Sequence, residues 1–492
     1  MNTTTLHAIP RLWPVPCGKE QLGTLLRKTL RAAADRSARS GRAVLASITL
    51  PVERIDAIQV FAGSRLAGFG TRFFWERPSE QTAFVGIGAA ARIETHGASH
   101  FASAAAAWRA LLDDAVIDTL PNAFPLPGGG PVAFGGFAFD PLSLHTPLWE
   151  GFPDGLLTLP RLLLSYAAEE ATLTINRQVQ ASDDSEYEAE QVADDLARLW
   201  AGVGQPSLWQ ETTGGSNALT TQDLLPLSEW MQQVAETVKL IRQGIYEKVV
   251  LARGLRVTSE SPFDIGAVLH RLRQEYPGAS IFAIQRGQRL FVGATPERLV
   301  RVQDRHIQTM ALAGSAARGA SEEEDRQLGE DLLRSEKNKI EHIIVVERVR
   351  EALTTLCARV SVAEMPRLLR LKNIQHLETP IVGELLPGKS ILETLGALHP
   401  TPAVGGLPGP EALERIRECE QLDRGWYAGP VGWVDADGNG EFAVALRSAL
   451  LEGRQATLFA GCGIVADSDP QSEYAESCLK FQAMLRGLGS ED

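Results

Sequence analysis

The 492-residue chain has 44% hydrophobic and 22% charged residues and a formal net charge of −13. That balance describes a globular protein with a normal core, long enough for one large domain or two to three average ones. It argues against general nucleic-acid binding, which needs a basic footprint, but leaves room for a local cationic pocket that takes a small anion. The five cysteines, Cys17, Cys357, Cys419, Cys462 and Cys478, are widely spaced and include no C-x-x-C pair. A disulfide framework or zinc site is therefore not expected, and a reducing cytoplasm fits. Neither a basic-then-apolar leader nor an apolar run of about 18 residues is evident, so no signal peptide or membrane span is expected.

In chain order, "GRAVLASITLPV" reads as a strand. "QVFAGSRLAGFGTRFFWERP" and "TAFVGIGAAARIETHG" read as strands broken by turns, with the glycines and aromatics of antiparallel sheet. "FASAAAAWRALLDDAV" has helical spacing, "PLPGGGPVAFGGFAFDP" is a loop and a strand, and "LLTLPRLLLSYAAEEATLTINRQV" suggests two more strands. "DSEYEAEQVADDLARLWAGV" is an amphipathic helix. The Gly/Ser/Thr-rich stretch around 204 to 223 is the best linker, dividing a strand-rich region 1–215 from a second region 226–490.

Beyond it come the helix "LSEWMQQVAETVKLIRQG", the strand "EKVVLARGLRV" and an antiparallel meander over 280–312. A long helix over 322–356 has a break near Ser335. "GWVDADGNGEFAVALRSALLEGRQATLFAGCGIV" reads as three strands with two tight turns, and "QSEYAESCLKFQAMLRGL" as a closing helix. Strands joined by short turns and helices in blocks point to a mixed, mainly antiparallel α+β fold.

Some motifs are discounted. "DADGNG" imitates the first half of a calcium loop, but Leu446 stands where a bidentate Glu is required, so a hairpin turn is the better reading. "PGGGPVAFGG" lacks the G-K-[ST] ending of a phosphate loop.

Other residues carry chemistry. Lys248 stands at the front edge of the apolar run Val249–Ala252, where it either snorkels to water or is held in a site. Arg447 reads as a charge within a strand, and Glu297 follows the turn Thr295-Pro296. Glu473, Glu476 and Lys480 share one helical face, as a solvated face or as part of a site. Glu341 and His342 lie where their helix turns apolar, with Ile340, Ile343 and Ile344 alongside. A carboxylate at an apolar margin is unfavourable unless paired, and two such groups suit Mg²⁺.

The segments "EKVVLAR", "FVGATPERL", "ALAGSAARG", "SEKNKIEH", "QHLETPIVG", "HPTPAVGG", "LDRGWYAGPVGW", "ALRSALL", "FAGCGIV" and "EYAESCLK" occur in this order. The series resembles the chorismate-utilising enzymes, most closely the isochorismate synthases of menaquinone or siderophore pathways. The resemblance is dense over about 226 to 490, and "PVAFGGFAFDP" extends it weakly toward the N-terminus. It implies an αββα sandwich to which the N-terminal half contributes. Anthranilate synthases carry Gln where Lys248 stands, and aminodeoxychorismate synthases carry a nucleophilic Lys where this chain has Ala313. One lysine kept and the other absent resembles the water-using branch, with no glutaminase partner.

The resemblance further implies that Lys248 is the base activating water for attack on C2 of chorismate, and that Glu297 is the acid protonating the departing C4 hydroxyl. Lowering a lysine from about 10.4 to about 7–8 takes roughly 3–4 kcal/mol, supplied by desolvation and neighbouring cations. Glu341 and Glu476 are implied Mg²⁺ ligands, with Glu473 and Asn338 behind them. Arg447 and Lys480 should hold carboxylates with help from the Gly461 backbone and Tyr427. Gly314, Ser315, His376 and Ala403 should line the pocket, and His376 also reads as a hydrogen-bonded core histidine. The expected activity is Mg²⁺-dependent isomerisation of chorismate to isochorismate by a cytoplasmic monomer or homodimer. The alternatives are a salicylate synthase, which goes on to eliminate pyruvate, and a non-catalytic chorismate-binding protein.

Overall fold

The computed structural model describes residues 19–120, 129–204, 219–370 and 374–490. Among these, the strands form one 13-stranded and one 10-stranded sheet. The reason is legible in strand Thr71–Arg77, where alternate side chains enter different cores. Phe73 and Trp75 belong to one cluster and Phe74 to the other. A strand buried on both faces is apolar at consecutive positions, as Phe73-Phe74-Trp75 is. Between the sheets Phe73 stacks on Phe134 at 6.0 Å, and Phe84 packs on Trp433 at 4.8 Å.

Helices Lys19–Ser40, Ala57–Leu66, Ser185–Val203, Ile265–Glu275 and Pro470–Leu488 cover the outer face of the larger sheet. His100–Leu112, Glu336–Thr354 and Ile391–Leu398 cover the smaller one. The four layers are the αββα sandwich. Both sheets mix strands from the two halves of the chain. Ser280–Arg286 pairs with Thr71–Arg77, and Pro430–Asp435 pairs with Val132–Phe137.

Two neighbouring chain crossings between the sheets create the site. Arg289–Thr295 lies in the larger sheet and Arg298–Gln303 in the smaller, so the expected meander splits at Pro296-Glu297. Gly440–Val444 lies in the smaller sheet and Ser448–Glu452 in the larger, so the second crossing falls at 445–447. Val444 N donates to Glu297 O at 3.0 Å, and Ala294 N to Arg447 O at 3.1 Å. Thr295 Oγ1 donates to Val444 O at 2.6 Å. Arg447 is therefore not within a strand: it sits in the break with φ +47°, a left-handed conformation that disfavours non-glycine residues by roughly 1–2 kcal/mol.

Other expectations change. Residues 59–66 are helical, not strand. Asp56 caps Ala57–Leu66 by accepting from Ile58 N and Gln59 N, and most of that helix is buried, which hides its period. The region 155–179 forms three strands rather than two, Gly155–Leu159, Leu162–Ala167 and Glu170–Val179. The supposed three-strand segment 432–465 belongs to four strands because of the break at Arg447. The linker ends early: Leu219–Asp223 is a strand paired with Leu255–Ser259, and 205–218 lie outside the described residues, as do 121–128 and Cys17. The long helix does break at Ser335, which caps Glu336–Thr354 by accepting from Asn338 N. "DADGNG" is a hairpin turn in which Asp435 accepts from Asp437 N and Asn439 N, each at 2.9 Å.

Candidate active site

A cavity of about 270 Å³ opens beside the two crossings. Its lining includes Lys248, Glu297, Gly314, Ser315, Glu341, His376, Ala403, Tyr427, Arg447, Gly461, Glu476 and Lys480. Every side chain expected to touch substrate or metal is thus gathered in one place.

Lys248 is the first residue of strand Lys248–Ser259, and its side chain is 13% exposed. Its stem crosses the neighbouring strand at Gly463, where a Cβ would stand 2.7 Å from Lys248 Cε. Nζ donates to Glu341 Oε1 at 2.9 Å. The nearest partner of this lysine is therefore a carboxylate, where the sequence led us to expect neighbouring cations. The second cation, Lys480, donates to Gly461 O at 2.7 Å and pairs with Glu476 Oε1 at 2.7 Å. The Arg447 guanidinium has no hydrogen-bond or ion-pair partner among the described residues, and burial holds its pKa below the usual arginine value.

Glu297 sits in the first crossing. Burial pushes its carboxyl up to about 7, against the opposing pull of Lys248, Arg447 and Lys480. A carboxyl with that pKa keeps its proton below neutral pH and begins to lose it near pH 7. His376 Nδ1 and Ser315 Oγ are hydrogen-bonded at 2.8 Å. Burial, then the charges of Lys480 and Arg447, press the imidazole down to about 4, so it is neutral. Tyr427 stacks on Phe459 at 5.2 Å, and its Oη would lie 3.2 Å from a Cβ on Gly461. Gly314 has φ +75° and packs against Asn338.

The carboxylates suit a hard divalent ion in donor chemistry. Glu341 and Glu476 both open onto the cavity. Glu473 and Glu476 have oxygens within 4.8 Å of one another and of Cys462 Sγ. Cys462 is no ligand for such an ion: burial pushes its thiol up to about 12, and it donates to Glu473 O. Glu473 does not line the cavity and accepts from Ser468 Oγ at 2.6 Å. Asn338 also lies behind the lining, with Nδ2 donating to Ser335 Oγ at 2.8 Å. Beside Glu341, His342 is a core histidine, with Nε2 2.7 Å from Thr379 Oγ1. Ile340 and Ile343 are 60% and 58% exposed, so the apolar face expected there is not a core face.

Several lining residues were missed, and two of them bear on the chemistry, Arg424 and Gly463. Arg424 is 2% exposed and lies within the quoted segment "LDRGWYAGPVGW". Its Nε donates to Glu420 Oε2 at 2.7 Å and Nη2 to Val250 O at 2.7 Å. The i, i+4 pair with Glu420 was its only sequence signal. Gly463 gave one too, as the second glycine of Gly461-Cys462-Gly463, a strand pattern that marks close approach.

Comparisons with known proteins bear on the family of the chain. Residues 28–489 match the family described as chorismate binding enzyme. The chain is 38% identical over 467 residues to isochorismate synthase MenF of Bacillus subtilis, covering 94% of this chain and 98% of that protein. It is 37% identical over 468 residues to the salicylate biosynthesis isochorismate synthase of Pseudomonas aeruginosa, covering 94% of each. Among solved structures, MenF, the menaquinone-specific isochorismate synthase of Escherichia coli, superposes with a TM-score of 0.73 at 28% identity. The match covers 94% of this chain and all of that one.

Proposed function

The chain belongs to the chorismate-binding enzyme family, and on that premise we propose that it is an isochorismate synthase. The observation that carries the reading is Glu297, a carboxyl pushed up to about 7 in the same cavity as a lysine. An acid that keeps its proton beside an amine is the pair needed to exchange one hydroxyl for another.

In the proposed reaction the Lys248 amine takes a proton from water as the water oxygen bonds to C2 of chorismate. The ring double bonds shift, the C4–O bond breaks, and Glu297 gives its proton to the departing hydroxyl, which leaves as water. No net water is consumed, so the product is an isomer. Arg447, whose donors are free among the described residues, is suited to a carboxylate fork. Lys480 and the Gly461 backbone stand beside it, and neutral His376 hydrogen-bonds Ser315 on the cavity wall. Glu341 and Glu476 would hold Mg²⁺, which supplies Lewis-acid charge for the ring carboxylate. An amine that accepts a proton cannot also be the ammonium of an ion pair, so the base role of Lys248 requires its release from Glu341.

The test is incubation of the pure protein with chorismate and Mg²⁺. Isochorismate as the sole product is expected. Salicylate with pyruvate would replace this reading by a salicylate synthase, and binding without turnover would leave a chorismate-binding protein. Glu297→Gln is expected to lower kcat about 10²- to 10⁴-fold.

A further inference from the structure

The cavity's lysines and its expected metal ligands form two matched pairs. Lys248 Nζ lies 2.9 Å from Glu341 Oε1, and Lys480 Nζ lies 2.7 Å from Glu476 Oε1. The first pair joins a strand to helix Glu336–Thr354, and the second lies within helix Pro470–Leu488. We propose that Lys248 and Lys480 are place-holding counter-ions: each neutralises one metal-binding carboxylate until a divalent cation displaces it, and the displacement frees both side chains toward the substrate. The inference rests on the reading of Glu341 and Glu476 as the metal ligands.

The physical reason is competition between like charges. A dication and an ammonium at one carboxylate repel each other, and inside a protein that repulsion is stronger than in water. The structure also provides for the lysines after release. Lys480 keeps a second acceptor, Gly461 O at 2.7 Å, which holds it at the cavity wall when Glu476 is taken. The Lys248 stem lies over Gly463, where no Cβ stands in its way. Linkage is reciprocal. A dicarboxylate that draws the lysines away from Glu341 and Glu476 should tighten cation binding, and the cation should tighten binding of the dicarboxylate.

The experiment is titration of the substrate-free protein with Mn²⁺, read by the electron paramagnetic resonance of free ion. Lys248→Met and Lys480→Met are each expected to bind Mn²⁺ about tenfold or more tightly than wild type. Lys248→Arg and Lys480→Arg keep the charge and should stay within about threefold of wild type. Unchanged or weaker binding in the Met variants overturns the proposal. The two Met variants lie on different elements, so either one that melts like wild type suffices. Glu341→Gln and Glu476→Gln separate the two readings. If both leave Mn²⁺ binding intact, the metal site is misassigned and the proposal falls with it. If both abolish binding while the Met variants do not tighten it, the proposal alone falls.

Discussion

Two arginines line the same cavity and do opposite things. Arg424 is 2% exposed, and its donors are used up on Glu420, Val250 O and Val404 O. Glu420 in turn accepts from Ala252 N at 2.6 Å. Arg424 therefore ties strand Lys248–Ser259 to the segment holding Ala403 and Val404, and it has little left to offer a ligand. Arg447 sits at a chain crossing in a left-handed conformation, with its guanidinium left over. Burial alone does not separate structural from functional charge: what separates them is whether the donors are already used.

That contrast can be broken at both ends. Arg424→Met should destabilise the fold by about 3–5 kcal/mol, because Glu420 would remain buried without its partner. Urea unfolding measures this, and a loss under about 1 kcal/mol would mean that Arg424 is no brace. Arg447→Met should leave stability unchanged or improved while weakening chorismate binding by about 2–4 kcal/mol, roughly thirty- to a thousandfold. A fluorescence or calorimetric titration checks it, and a fall in stability with binding intact would make Arg447 structural.

Glu297 extends the comparison to a carboxyl kept neutral. Its folded pKa of about 7 lies above the ordinary carboxylate value of 4.5. Below about pH 4.5 both folded and unfolded forms are protonated and the group contributes nothing. Between about 4.5 and 7 the unfolded form loses its proton first, so stability falls as pH rises, and the penalty is full above about 7. Discounted for water in the cavity, it amounts to about 2 kcal/mol. Glu297→Gln should therefore be more stable than wild type at pH 8 and no different at pH 4, as paired thermal melts would show. An advantage that is constant across pH would contradict the raised pKa. The smallest expected effect is at Gly463. Its backbone tolerates alanine, but the new Cβ would meet Lys248 Cε. Gly463→Ala should lower kcat about tenfold with KM and melting temperature nearly unchanged. An unaltered kcat would show that Gly463 does not place the lysine.

The site was more legible than the fold around it. Lys248, Glu297 and Arg447 stood out because a charge beside an apolar run needs a reason, and the ordered segments around them carried the resemblance. Their partners were not legible. Lys248 meets Glu341 from another element, and no local pattern encodes that meeting. The crossings were hidden because strands in different sheets have the same period of two, so 280–312 read as one meander. Helix Ala57–Leu66 was misread for a packing reason. Gly63 lies against Gly202 of helix Ser185–Val203, so close that a Cβ on Gly63 would meet Val203 Cα at 2.7 Å. A helix so enclosed shows no polar stripe for periodicity to find.

The strand Gln455–Ile464 and the helix after it supply Gly461, Gly463, Glu476 and Lys480. Lys248, Glu297 and Glu341 precede them by more than a hundred residues in the order of synthesis. A nascent chain thus carries its proposed acid and base well before it has the wall that would hold a substrate between them. Chains leave the ribosome N-terminus first, so a product cut short before Gln455 would carry Lys248, Glu297 and Glu341 but lack Gly461, Gly463, Glu476 and Lys480 from the cavity wall.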